Sequence, residues 1–171
     1  MKRCWILLLV AMSLPAAAQS ADALYQQACG PKDAKFVVQV AKGQPPAGPE
    51  PGKALVYFIQ KDAGMPLTTR VGLDGTWVGV AQRDSYIFAS VTPGDHHACA
   101  ATTNTRHPQP ELVHFKAEAG KVYYFLLRGI GGTVGYGEFY SMEFVQVDRD
   151  EALYLIATDP QSVAKPASLE R

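Results

Sequence analysis

The spacing of apolar residues divides the chain into three stretches. Behind Lys2 and Arg3, residues 5–14 (WILLLVAMSL) form an apolar run, interrupted by Ser13, that leads to small residues at Ala16, Ala17 and Ala18. Residues 19–51 are mixed and polar, except for KFVVQV (35–40), which predicts a short strand. From Lys53 onward, short apolar runs alternate with turn residues every eight to twelve positions. KALVYFIQ (53–60) is rich in β-branched and aromatic residues and lacks a period-2 polar break, so it predicts a strand buried on both faces. LTTRVGLDGTWVGVAQ (67–82) holds Asp74-Gly75 between two strand-like runs, a two-residue hairpin signal. DSYIFASV (84–91) ends at Pro93-Gly94, and HHACAATT (96–103) follows. LVHFKAE (112–118) and GKVYYFLLRGI (120–130) are expected to pair across Ala119-Gly120, and GEFYSMEFVQV (137–147) closes the β series. In DRDEALYLIAT (148–158) the alternation breaks, and Asp148 is expected to cap a short helical turn through Ala152.

These patterns predict an all-β fold: a single antiparallel β-sandwich, immunoglobulin- or transthyretin-like, with a short C-terminal helical turn. The expected boundaries are 1–18 signal peptide, 19–51 N-terminal segment and Pro/Gly-rich linker, 52–158 β-sandwich domain, and 159–171 loose tail. The linker AKGQPPAGPEPGK (41–53) has four prolines and three glycines, which exclude a helix or a central strand.

The first run changes the picture of where the protein works. A basic start, a short apolar core and a small-residue site near Ala18 are the parts of a secretory signal peptide. The apolar run is too short to span a bilayer, so no transmembrane segment is expected, and the mature chain belongs in the periplasm or outside the cell. Cys4 leaves with the signal. Cys29 lies too far beyond the cleavage site to be a lipidation cysteine. Lys and Arg number 16 and Asp and Glu 16, and losing Lys2 and Arg3 leaves the mature chain slightly acidic. Such a balance gives no electrostatic case for nucleic acid or an anionic membrane. In an oxidising compartment the remaining pair, Cys29 and Cys99, favours one disulfide over two buried thiols. Closing a loop of about 70 residues is worth roughly 4 kcal/mol on the chain-entropy model.

PGDHHACAATT (93–103) is the stretch that raises a question of chemistry. On a strand His96, Ala98 and Ala100 share one face, and His97, Cys99 and Ala101 share the other. From a regular strand two adjacent histidines therefore cannot easily grip one ion. His97 with Cys99 is half a zinc site, and the missing ligands would come from His114, Asp95 or Cys29; nothing in the spacing supplies them. A nucleophilic Cys99 is disfavoured by its alanine neighbours and by a second cysteine ready to oxidise it. RGIGGTVGYG (128–137) fits neither dinucleotide nor phosphate-loop patterns and predicts a flexible hairpin loop. The tyrosines and phenylalanines of the strands predict core. Trp77, just past a turn, is a candidate for exposure. No catalytic residue, metal site or cofactor is assigned. The possible binding surface is Trp77, His96 and His97.

Taken in order, PGKALVYFIQ, TTRVGLDGTWVG, DSYIFASVTPGDHHACA, FKAEAGKVYYFLLR and EALYLIAT resemble the bacterial exported family catalogued as domain of unknown function 2846, over about residues 50–158. CGPKDAKFVVQV resembles the N-terminal segment of a subgroup in which a Cys-Gly-Pro start accompanies a His-His-x-Cys block. VTPGDHHACA also resembles turn-strand units of envelope-associated modules such as PEGA-type domains. The resemblance implies a small exported β-rich domain and brings no activity, cofactor or catalytic residue. Many members are lipoproteins, and this chain departs from them in having no lipidation motif. The expected function is a non-enzymatic cell-envelope module that binds a protein or glycan partner. Two alternatives are a metal-binding or chaperone-like protein using His96, His97, His107 and His114, and an unrecognised hydrolase.

Overall fold

The computed structural model describes residues 20–62, 67–103, 109–134 and 137–166. The expected signal peptide, His107 and the last five residues lie outside the described residues. In chain order the elements are α1 (Ala21–Ala28), β1 (Phe36–Ala41), β2 (Ala54–Lys61), β3 (Thr68–Leu73), β4 (Thr76–Gln82), β5 (Ser85–Val91), β6 (Gly94–Thr102), β7 (Glu111–Ala117), β8 (Val122–Val134), β9 (Gly137–Gln146), α2 (Arg149–Thr158) and β10 (Gln161–Pro166). They build a mostly β structure of two sheets, one ordered β1-β10-β5-β2-β8-β9 and the other β4-β3-β6-β7.

Strand β2 sets the layers. Every residue from Ala54 to Gln60 is buried, as its unbroken apolar run requires. Ala54, Val56 and Phe58 point into a core shared with the four-stranded sheet, where they join Val71, Ala98, Phe115 and Phe125. Leu55, Tyr57 and Ile59 point the other way and are covered, with Tyr86, Tyr124 and Leu126, by Ala152 and Ile156 of α2. Alternation along β8 repeats the division, with Phe125 and Leu127 inside the first cluster and Tyr124 and Leu126 inside the second.

Turn chemistry holds where it is local. Asp74 and Gly75 make the hairpin between β3 and β4 with φ of 50° and 77°. Asp148 caps α2, its side chain accepting from the N–H groups of Asp150 and Glu151. The helix runs on to Thr158 rather than stopping near Ala152, because Ala152, Leu155 and Ile156 fall at helical spacing and cover the sheet.

Several expectations give way to tertiary pairing. The sheets are not purely antiparallel: β2 runs parallel to β8, and β10 meets β5 in parallel. β7 and β8 do not form a hairpin. β7 pairs with β6 and β8 with β2 and β9, since β8 is apolar on both faces and needs a central place. The turn between them is captured by the start of β2 through Gly120 N–H to Lys53 O (2.8 Å) and Leu55 N–H to Lys121 O (3.0 Å). The glycine-rich stretch is not a loop either. Its backbone continues the β8–β9 ladder up to the Val134–Gly137 pair. Of the expected loose tail 159–171, residues 161–166 form β10, which inserts between β5 and β1. KFVVQV is indeed a strand, and β10 binds it into the main sheet rather than leaving it in a detached segment.

Phe58 is fully buried at the junction of both sheets and packs on Phe125 and Phe144. Phe58→Ala is expected to lower unfolding free energy by about 3–5 kcal/mol in urea denaturation. A loss under 1 kcal/mol would show that the two sheets do not share this core.

Candidate functional site

The chemistry-bearing residues gather around β6, where the N-terminal segment lies against the outer face of the four-stranded sheet. The period-2 alternation of the strand separates the two histidines as the sequence requires. His96 joins the inner face with Ala98 and Ala100, its ring stacked on Phe115 at 5.4 Å. His97, Cys99 and Ala101 face outward, toward α1.

Cys99 and Cys29 form a disulfide with Cα atoms 5.3 Å apart, and both residues are buried. Around it, Ala28, Ala101, Tyr25 and Trp77 make a small apolar cluster separate from the main cores. Gly72 on β3 permits the close approach: a Cβ there would lie 2.7 Å from the Ala28 carbonyl oxygen and 2.9 Å from the Cys29 Cα. Trp77 donates its Nε1–H to the Pro31 carbonyl at 2.8 Å, and the Arg70 guanidinium sits 4.7 Å over its ring. Arg70 in turn donates to the carbonyls of Lys32 and Ala34. Residues 28–34 are thus fastened by one covalent bond and a set of backbone contacts.

Asp74 ties the hairpin tip to the start of β6. Its Oδ1 accepts from the His97 backbone N–H at 2.9 Å, its Oδ2 faces His96 Nδ1 at 2.6 Å, and its own N–H donates to the His97 carbonyl. His96 Nε2 faces the Thr92 carbonyl at 2.7 Å. Both ring nitrogens meet atoms that only accept, so the doubly protonated imidazolium fits this pocket best. Burial pushes the His96 pKa down, but the bonds to Asp74 and Thr92 and the charges of Asp74 and Asp95 outweigh it and hold it above the ordinary histidine value. The Asp74–His96 pair resembles two of the three members of a catalytic triad. The position a nucleophile would occupy is filled by the Thr92 carbonyl, so the pair acts as a latch.

Each residue of the expected binding surface is therefore engaged within the chain. Trp77 clamps the N-terminal segment, His96 locks a turn, and His97 is half-buried and accepts at Nε2 from the Gln27 amide at 2.7 Å. Two neighbours of His97 come from elsewhere in the chain, and of these the residue pattern offered His114 as a candidate and not Gln27. Gln27 comes from α1, a helix unexpected in the polar N-terminal stretch and capped by Ser20. His114 lies directly opposite on β7, with ring centroids 4.9 Å apart. The pattern LVHFKAE predicts a strand, and only strand pairing reveals which residue His114 faces.

Beside the disulfide, an open cleft of roughly 480 Å³ is lined by Asp22, Tyr25, Gln26, Lys32 and Gly75, among others. Lys32 lies 4.9 Å over the Tyr25 ring and 3.1 Å from Asp22. Among the described residues, no group of three or more His, Cys, Asp or Glu side chains is placed to share one metal ion. No helix among them is long and apolar enough to cross a membrane.

Two outcomes follow from this geometry. Because the folded His96 pKa is raised, its stabilisation is present in full below about pH 6.5, the unfolded histidine value, and is lost as pH rises through the folded value. Melting curves from pH 6 to 9 should show the gap between wild type and His96→Gln narrowing as pH rises, and a constant gap would contradict the latch. Gly72→Val should push Cys29 away from Cys99, so that thiol titration of the unfolded, unreduced variant finds two more free thiols than wild type. A fully oxidised variant would show that the segment does not need the glycine.

No family model, curated protein or solved structure matches the chain.

Proposed function

We propose that this chain is an exported, non-enzymatic β-sandwich module of the cell envelope, working in the periplasm or outside the cell, that binds a partner protein by strand addition at β1. The signal-like N-terminus, the disulfide and the order of blocks resembling domain of unknown function 2846 support the exported module. The packing of side chains from both sheets into one core supports the sandwich.

The observation that carries the binding mode is the character of the edge. β1 ends the six-stranded sheet and, among the described residues, pairs with β10 alone. Edge strands in isolated domains are usually blunted by charge, proline or a bulge. FVVQVA carries none of these, and Val37 and Val40 are 56% and 42% exposed. Lys35 and Lys42 bracket the strand, and both are exposed. A second copy added antiparallel would bring lysines near lysines. The favoured occupant is therefore an extended apolar segment of another protein with acidic flanks.

Selection from a library of displayed extended peptides tests this reading. Enriched sequences are expected to have an apolar β-branched centre between acidic residues. Lys35→Glu with Lys42→Glu should shift the selection to basic flanks. Enrichment of nothing above background, or a flank preference indifferent to the charge reversal, would remove strand addition at β1. A glycan reading rests on the cleft at Tyr25, since a partly exposed aromatic ring beside polar groups is a surface on which a sugar can stack once Lys32 moves off it. It is favoured instead if soluble cell-wall oligosaccharides bind and Tyr25→Ala abolishes that binding.

A further inference from the structure

We propose that His97 and His114 form a surface chelate for a late divalent transition metal, Cu²⁺ above all, on the outer face of β6 and β7. The two are register partners on antiparallel strands, where side chains on one face stand about 4.5–5.5 Å apart at Cβ. Their ring centroids are 4.9 Å apart at an interplanar angle of 45°, a spacing from which one nitrogen of each ring can turn toward a common ion. Imidazole is a preferred ligand of Cu²⁺, Ni²⁺ and Zn²⁺.

The surroundings fit a partly solvated cation. His114 and Asp95 are 56% and 66% exposed at their side chains, so an ion reaches them from solvent. Asp95 Oδ1 lies 3.5 Å from His114 Nε2 and places a carboxylate beside the pair. Lys116, opposite Asp95 in register, is exposed, which leaves its ammonium in water rather than in the site. No third protein ligand is placed to share the ion among the described residues, so water completes the coordination. His96 takes no part, because it lies on the other face with both nitrogens committed.

Gln27 gives the site a distinctive feature. Its amide occupies His97 Nε2 from α1. Gln27 is itself exposed, so it can swing away when a metal takes that nitrogen. Binding thus competes with one hydrogen bond between α1 and the sheet, while the disulfide keeps the helix in place.

The test is a titration of the oxidised, full-length protein carrying Cys4→Ser with Cu²⁺ at pH 7.5, followed by visible absorption and electron paramagnetic resonance. One equivalent is expected to bind with hyperfine structure from two nitrogens. His97→Ala and His114→Ala should each abolish that signal, His107→Ala should leave it, and Gln27→Ala should strengthen binding. Near-ultraviolet circular dichroism that matches wild type shows that a silent variant is folded. Three results would overturn the proposal: no equimolar binding by wild type, a signal that survives both histidine variants, or a signal lost with His107→Ala.

Discussion

The Cys29–Cys99 bond is the constraint on which the N-terminal segment, residues 20–34, depends. Its two residues are 70 positions apart, and the span between them contains β1 to β5 and most of β6. Without that link, α1 would be an eight-residue helix with one buried side chain in Ala28. A helix that short is not stable by itself in water. The covalent bond supplies the persistent contact that lets Trp77, Arg70 and Gly72 hold the backbone of residues 28–34. Through α1 the same bond brings Gln27 to His97 and shapes the cleft at Tyr25. Loss of the bond would leave the main cores intact, since the cluster at the disulfide shares no residue with them.

A second principle organises the rest: strands with two apolar faces must be covered on both. β2 and β8 meet this by lying next to each other in the middle of the larger sheet, between the smaller sheet and α2. The chain enters β8 from β7 of the smaller sheet, and β8 runs parallel to β2. β6 carries the same two-sided demand in the smaller sheet. Its inner face joins the main core, and among the described residues its outer face is covered where the disulfide holds the N-terminal segment. Farther along that outer face, His97 and His114 stand at the edge of the cover.

Local signals made much of this legible from the residues alone. Asp74-Gly75 specified the hairpin because a tight turn needs positive φ at both positions. Asp148 announced the start of α2, and the two cysteines announced their bond. The opposite facing of His96 and His97 follows from strand geometry and needs no partner. What stayed hidden was everything decided by a distant partner. The sequence of β7 gives no hint that His114 faces His97, or that its turn is claimed by Lys53 instead of a hairpin. QSVAKP carries too little apolar pattern to read as a strand, and it becomes β10 because Ser162 finds Ser85 and β1 needs a neighbour. Glycines at 129, 131 and 132 suggested a loop by composition, yet backbone pairing to β9 is indifferent to missing side chains.

Hydrogen exchange of the oxidised protein beside a Cys29→Ser, Cys99→Ser variant tests the role of the disulfide most directly. Amides of α1 should lose their protection in the variant, while those of β2 and β8 keep theirs. Protection of α1 that is equal in both proteins would contradict it. The helix would then be held by its packing, and the cysteines would be incidental to the surface built on them.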